Sequence, residues 1–282
     1  MRRVGIIGLA SSRPRRFVHH LNARRALAGV RVAALVGGPG EGEELRASGR
    51  VDAVVEHPSE LVGQVDAVIE CTRDGARHRA HVEPLLRAGV PAFVDKPLAV
   101  STADAAAMIS AARAGRVVLM SCSGFRHAPQ LVDVAAGLAI APPAQRLEIS
   151  GPADPASEHG GLPYYGIHHV EIALEILRRA GLREGVTGLD VAQDRSGPRA
   201  AFTVGGVRVT LAFVAPAAGD VPFTVTTTTA GDRVERTLTL APDYNERMLE
   251  RFLGACRRGT WPLPAAALTE SVSLVERIVR QL

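Results

Sequence analysis

From residue 3 to about 122 the chain alternates short β-branched apolar runs with longer stretches of helical character. Runs at residues 3–7, 30–36, 51–55, 66–71, 91–94 and 116–121 predict six strands. Between them the pattern predicts helices over 15–27, 76–88 and 102–114. Ser101, with Asp104 three residues later, opens the last of these as a shortened capping box. Gly29, Gly89 and Gly115 fall just past helix ends, where a left-handed cap costs glycine little. Strand–helix alternation of this kind predicts a doubly wound parallel sheet of the Rossmann type.

After Ser121 the pattern changes. A helix is expected near 129–138, a strand at 146–150, and, beyond the Gly/Pro-rich GPADPASEHGGLP, a helix over 165–180. Five strand-like runs follow without helices between them, at 186–193, 199–204, 207–214, 222–229 and 233–240. Gly205-Gly206 and Ala230-Gly231-Asp232 read as hairpin turns. Helices over 244–257 and 268–282 end the sequence. The expectation is an α/β chain: a Rossmann-type domain at 1–122, then an α+β domain at 123–282 with a mostly antiparallel open sheet. One sheet face, carrying the TVTTTT run, would be solvated or paired with another subunit.

Composition narrows the function classes. The 282 residues are 46% apolar and 22% charged, a globular balance that excludes a disordered chain. No apolar run is long enough to cross a bilayer, and the apolar start breaks off in SSRPRR, so the sequence suggests a cytoplasmic protein without membrane contact. Three widely spaced cysteines fit neither a disulfide framework nor a C-x-x-C metal site. Net charge is +4, but the 33 cations are dispersed among 29 acids, which argues against nucleic acid as a partner. Lys96 is the only lysine; every other cation is arginine. Where only positive charge is wanted this chain uses Arg, so Lys96 marks a place that calls for a compact donor able to lose its proton.

The turn after the first strand sets Gly8, Ala10 and Arg13 where a dinucleotide fingerprint has three glycines. Gly8 permits the tight turn, Ala10 crowds a pyrophosphate, and Arg13 would obstruct close helix packing. The second strand ends Leu35-Val36-Gly37-Gly38, with no acid to hold a ribose 2′-hydroxyl. With Arg13, Arg15 and Arg16 near the first turn, that fits NADP better than NAD, unless these arginines are simply solvated helix surface, a reading that stands equal to it. Lys96 leaves the carboxyl end of the fifth strand, where open parallel sheets bind ligands, and Pro97 stops the strand there.

At these residues the chain resembles the Gfo/Idh/MocA family of nicotinamide-dependent oxidoreductases. The resemblance rests on residues 4–8, VDAVIECT at 65–72, LLRAGVPAFVDKPLA at 85–99, YYGIHHVE at 164–171 and RFLGACRRGTWPLP at 251–264. It implies an NAD(P) site formed by Gly8, Leu9, Ala10, Ser11, Ser12, Arg13, Gly37, Thr72, Asp95 and Lys96. It implies a catalytic Lys96 and His168, with Tyr164 standing where the family often has Asp. Arg126, Tyr165 and His169 are the candidate substrate contacts, with Arg126 equally a loop hydrogen-bonder, Tyr165 equally a core residue, and His169 better read as a hydrogen-bonded structural histidine. A homo-oligomer through the second-domain sheet is also implied. On the second-domain helix, Ile167, Val170, Leu174 and Leu177 form the apolar stripe, which leaves His168, Glu171 and Glu175 off the core face. His78 and His81 lie three apart on one helix, but no further ligand completes a metal set, so no metal is expected.

The implied activity moves a hydride between nicotinamide and a hydroxyl-bearing or imine carbon of a small polar substrate such as a sugar or cyclitol. A second reading keeps the fold without the redox role, as a lyase, cyclase, isomerase or ligand-binding protein; Ala10, Arg13, Gly37 and Tyr164 point that way.

Overall fold

The computed structural model describes residues 3–38, 40–140, 145–194, 197–215, 221–229 and 232–282. In chain order the first elements are β1 (Arg3–Ile7), α1 (Ser12–Val18), β2 (Arg31–Val36), α2 (Glu43–Gly49), β3 (Ala53–Val55), β4 (Ala67–Glu70), α3 (His78–Arg87), β5 (Ala92–Val94), α4 (Thr102–Ala114) and β6 (Leu119–Met120). Then come α5 (Gln130–Ile140), β7 (Arg146–Pro152), α6 (Pro163–Arg179), β8 (Thr187–Asp194), β9 (Gly197–Val204), β10 (Val207–Val214), β11 (Thr224–Thr229), β12 (Asp232–Thr237), α7 (Tyr244–Arg258) and α8 (Ala265–Val279). The chain divides into two compact units, Met1–Cys122 with Pro242–Thr269, and Ser123–Ala241 with Glu270–Leu282.

In the first unit the strands form a parallel sheet in the order β3-β2-β1-β4-β5-β6. The order reverses between β1 and β4, and the crevice at the carboxyl ends of those strands is where such sheets bind ligands. Val4, Ile6, Val32, Leu35 and Ile69 are at most 1% exposed, as central strands covered on both faces require. Helix α1 runs on as a π-helical turn, His19–Ala23, and stops short of the expected residue 27. The cause is Asn22: its amide donates to the Val32 carbonyl (3.0 Å) and the Gly49 carbonyl (2.8 Å), and its oxygen accepts from the Val32 N–H (2.7 Å). Helix α2 went unforeseen because its short span buries only Leu45. After α4 the left-handed residue is Arg116 (φ 54°), while Gly115 is needed for space, since a Cβ there would run into the Leu86 carbonyl.

The structure differs from the expected boundaries in one respect. Residues 242–269 belong with the first unit, not with a second domain at 123–282. The reason is the apolar face of α7: Met248, Leu249, Phe252 and Leu253 join the core built on β1, β2 and β4, with Phe252 5.8 Å from Phe93 ring to ring. Trp261 adds a bond from Nε1 to the Val117 carbonyl (3.0 Å).

The second unit's sheet runs β12-β11-β7-β10-β9-β8. It is mixed: β7 and β10 pair in parallel and every other neighbouring pair is antiparallel. Gly205 (φ 52°) and Gly206 (φ 79°) make the β9–β10 turn with both central residues left-handed, which matches the strand twist. Of the second expected turn, Ala230 and Gly231 lie outside the described residues, while Thr229 and Asp232 on either side pair as a hairpin requires. Leu147, Ile149, Phe202, Leu211 and Val225 face the core with α6. The opposite face is polar, with Arg146, Glu148, Arg208, Thr210 and Thr226 in neighbouring registers, and every residue of β12 is exposed.

Candidate active site

In the first unit, Gly8 takes a left-handed conformation (φ 80°), and a Cβ on it would run into the backbone of Thr72. The turn after β1 is thereby pressed against the end of β4. A Cβ on Gly37 would stand 3.1 Å from Leu9 Cδ1, so Gly8, Leu9, Gly37 and Thr72 gather at one end of the sheet. Ser11 caps α1, its hydroxyl accepting the Arg13 N–H (3.4 Å), and Ala10 and Ser12 are exposed beside it.

Arg13 neither blocks the helix nor stands ready for a phosphate. Its guanidinium forms an ion pair with Asp95 and a hydrogen bond with Tyr244. Burial works against its charge, but Asp95 and Tyr244 outweigh burial and raise its pKa. Arg16 bonds Glu246 (3.1 Å) and the Pro242 carbonyl (2.5 Å), and Arg15 faces Glu44 (3.4 Å) at the surface. The presumed cationic cluster is thus engaged by carboxylates. An acid also stands near the end of β2 after all: Glu41 folds back so that its carboxylate accepts the Gly38 N–H (3.1 Å).

Lys96 is 6% exposed at the end of β5, and its N–H donates to the Asp95 carboxylate (2.6 Å). Three residues that the sequence did not assign to this region support it. His78 is buried, with Nδ1 2.9 Å from the Pro97 carbonyl and Nε2 2.8 Å from the Thr72 carbonyl. It therefore ties the Lys96-Pro97 segment to the Thr72 segment. Glu70, fully buried, accepts the Thr72 N–H (2.6 Å) and lies 2.8 Å from His81 Nδ1. The His78/His81 spacing that suggested metal instead places both rings against β4 and β5. The glycine turn, the exposed helix start and the buried lysine fit a nicotinamide dinucleotide. The three residues Gly8, Ser11 and Ser12 would face its phosphates, and Thr72, Asp95 and Lys96 its nicotinamide end.

In the second unit, α6 starts at Pro163, so Tyr164 lies in its first turn. Burial extends beyond the predicted stripe: His168, Glu171 and Glu175 are 7%, 4% and 4% exposed. Each has partners. Ser123 Oγ is 2.6 Å from His168 Nδ1, and the Ser123 N–H donates to Glu171 (2.5 Å). Around the His168 ring stand Phe125, Tyr165 and Phe223, with centroids at 5.4, 5.4 and 5.5 Å, all edge-on. Tyr165 meets Tyr164, which meets His159, also edge-on. A cavity of about 500 Å³ opens beside these rings, with Asp154, Ser157, Glu158 and His159 among its lining residues.

Two expected substrate contacts have other roles. Arg126 is 3% exposed and bonds Glu175 (2.8 Å), a carboxylate also held by Arg178 (2.6 Å) and Arg179 (2.7 Å). Burial tends to raise the Glu175 pKa, but the bonds from Arg178 and Arg179 and the charge of Arg126 lower it to about 2. His169 is wholly buried against Phe213 and Phe223 and donates from Nε2 to the Gly151 carbonyl (3.2 Å). Burial holds its pKa down at about 4. Both residues are walled in too completely to meet a substrate.

Arg126→Ala is expected to lower unfolding stability by about 1.5–3 kcal/mol, measured by urea denaturation, because Glu175 loses its buried partner while keeping Arg178 and Arg179. A substrate-binding role would leave stability intact. His169 has a folded pKa of about 4 against an ordinary 6.5, so the unfolded chain binds the extra proton between those values. Its contribution is complete above pH 6.5 and disappears as pH falls through about 4. We expect a stability rise of about 3 kcal/mol across that window, absent from His169→Gln when the two are compared by denaturation at each pH.

Comparison with known proteins places these features in context. Residues 2–122 match the model of the Gfo/Idh/MocA oxidoreductase family, NAD-binding Rossmann fold. D-apiose dehydrogenase of Paraburkholderia graminis is 31% identical over 124 residues, 43% of this chain and 32% of that protein, so the match spans about a third of the relative's length. Among solved structures, myo-inositol 2-dehydrogenase from Lactobacillus plantarum has a TM-score of 0.75 at 15% identity, covering 99% of this chain and 96% of that one. A 3-ketoreductase from Actinomadura kijaniata in complex with NADP has a TM-score of 0.76 at 21% identity, covering 98% and 96%. The likenesses to solved structures show a shared fold, and residues 2–122 are similar to the Gfo/Idh/MocA oxidoreductase family, NAD-binding Rossmann fold.

Proposed function

We propose that the protein is an NAD(P)-dependent oxidoreductase acting on a hydroxyl-bearing carbon of a small polar substrate, a sugar or cyclitol. The observation that carries this reading is the buried Lys96, the chain's only lysine, at the carboxyl end of β5, where its backbone N–H donates to Asp95 and the Pro97 carbonyl beside it meets His78. The cofactor, when bound, supplies the hydride acceptor or donor. Lys96 and His168 handle the hydroxyl proton, with Tyr164 and Tyr165 forming the wall beside His168. The cavity of about 500 Å³ beside Tyr164 and Tyr165 is of monosaccharide scale, and its described lining carries Asp154 and Glu158 but no Arg or Lys. This favours an uncharged polyol over a sugar phosphate.

On the cofactor, the case for NADP drawn from Arg13, Arg15 and Arg16 loses its support once each faces a carboxylate, and Glu41 near the end of β2 would repel a 2′-phosphate. We therefore favour NAD. The non-redox alternative draws on the Arg13–Asp95 pair, which lies beside Lys96 within the region a nicotinamide would occupy. Calorimetric titration of nucleotide-free protein separates the readings: micromolar binding of NAD(H), weaker for NADP(H), supports the first, and no binding of either supports the second. With myo-inositol and D-apiose as trial substrates, Lys96→Met should lower turnover by about 100-fold or more while leaving the fold intact. We further propose a homo-oligomer formed through the polar face of the second sheet. Light scattering should give a mass above the 29.7 kDa of one chain, reduced by Thr226→Lys if that face is the contact.

A further inference from the structure

We infer that Ser123 fixes the tautomer of His168, so that the neutral ring carries its proton on Nε2. The argument is an inventory of one buried hydroxyl. Ser123 is fully buried, which denies its side chain water. Its Oγ has one hydrogen and two lone pairs. One lone pair accepts the Phe125 N–H (3.1 Å), and the remaining contact of Oγ is His168 Nδ1 at 2.6 Å. If Nδ1 bore the proton and donated it, the hydroxyl hydrogen would be left without an acceptor in a dry site, which is costly. If the hydroxyl donates to Nδ1, both the hydroxyl and Nδ1 are satisfied. The second arrangement makes Nδ1 the acceptor and puts the ring proton on Nε2.

Glu171 completes the device from the same helix. One turn beyond His168 it accepts the Ser123 N–H (2.5 Å), so α6 holds the backbone of the serine that in turn orients its own histidine. The ring is fixed further by Phe125, Tyr165 and Phe223 on its sides. Ser123 is thus a positioning residue, acting through His168.

The tautomer stands on this geometry alone, while its meaning for catalysis rests on the reading that His168 meets the reacting hydroxyl. On that reading a neutral His168 donates a hydrogen bond from Nε2 to the substrate oxygen and cannot also take a proton there. During oxidation of an alcohol, the hydroxyl proton would then have to leave to a base other than His168, while a bound nicotinamide would supply the hydride acceptor.

The test is long-range ¹H–¹⁵N correlation of the imidazole groups in uniformly ¹⁵N-labelled full-length protein, at about pH 8, where an ordinary imidazole is neutral. The His168 signals are assigned by their loss in His168→Gln. The expected result is a pyrrole-type shift for Nε2 and a pyridine-type shift for Nδ1, retained in Ser123→Thr. In Ser123→Ala both nitrogens should move to intermediate shifts as the tautomers mix. A pyrrole-type Nδ1 in the native protein, or an unchanged spectrum in Ser123→Ala, overturns the inference. The spectrum needs neither cofactor nor substrate, so a failed nucleotide titration and a failed tautomer assignment remain distinguishable.

Discussion

The second unit depends on burying the polar residues of α6 with a partner for each. A helix covered on every side excludes water from its charged groups, and a buried carboxylate without a partner costs several kcal/mol. Glu175 meets that requirement with Arg126, Arg178 and Arg179, and Glu171 with the Ser123 backbone. Because these bonds join α6 to the segment 123–126, the same pairing that makes the helix stable also sets the position of Ser123 against His168. The site geometry is a by-product of satisfying the core.

The first unit solves a similar problem at the carboxyl end of its sheet. There the buried group is Glu70, at the end of β4, and its two oxygens are taken by the Thr72 N–H and His81. His78, one helical turn earlier, sits between the carbonyls of Thr72 and Pro97, 2.8 and 2.9 Å from its two ring nitrogens. These bonds, with the contact of Gly8 against Thr72, link the ends of β1, β4 and β5 into one rigid rim. A rim tied together by Glu70, Thr72, His78 and His81 can hold a lysine in place without relying on loops, and this makes the proposed role of Lys96 physically reasonable.

How much of this was legible in the sequence follows from the range of each interaction. Strand periodicity and turn chemistry are local, so β1, α4 and β10 lie within their predicted bounds, and the Gly205-Gly206 turn is where the pattern puts it. The helix at 244–257 was equally visible, but its bounds do not say which core it covers, and α7 covers the first unit's. The fate of each arginine was invisible for the same reason. Arg126 reads as a substrate contact or loop hydrogen-bonder until Glu175, 49 residues away, is seen beside it, and Arg13 reads as an obstruction until Asp95 is. His169 was weighed as either structural or functional, and burial against Phe213 and Phe223 decides for the first.

Those pairings also explain why one lysine survives among so many arginines. A guanidinium suits a site where a carboxylate must be held permanently, as at Glu175, because it is planar, forked and always charged. Asp95 already has such a partner in Arg13. Asp95 also accepts the backbone N–H of Lys96 (2.6 Å), so its carboxylate is engaged without the lysine side chain. A lysine at position 96 differs from a guanidinium in being a compact donor that can give up its proton. The residue that is chemically distinct in the sequence thus stands next to a carboxylate whose guanidinium partner Arg13 already supplies.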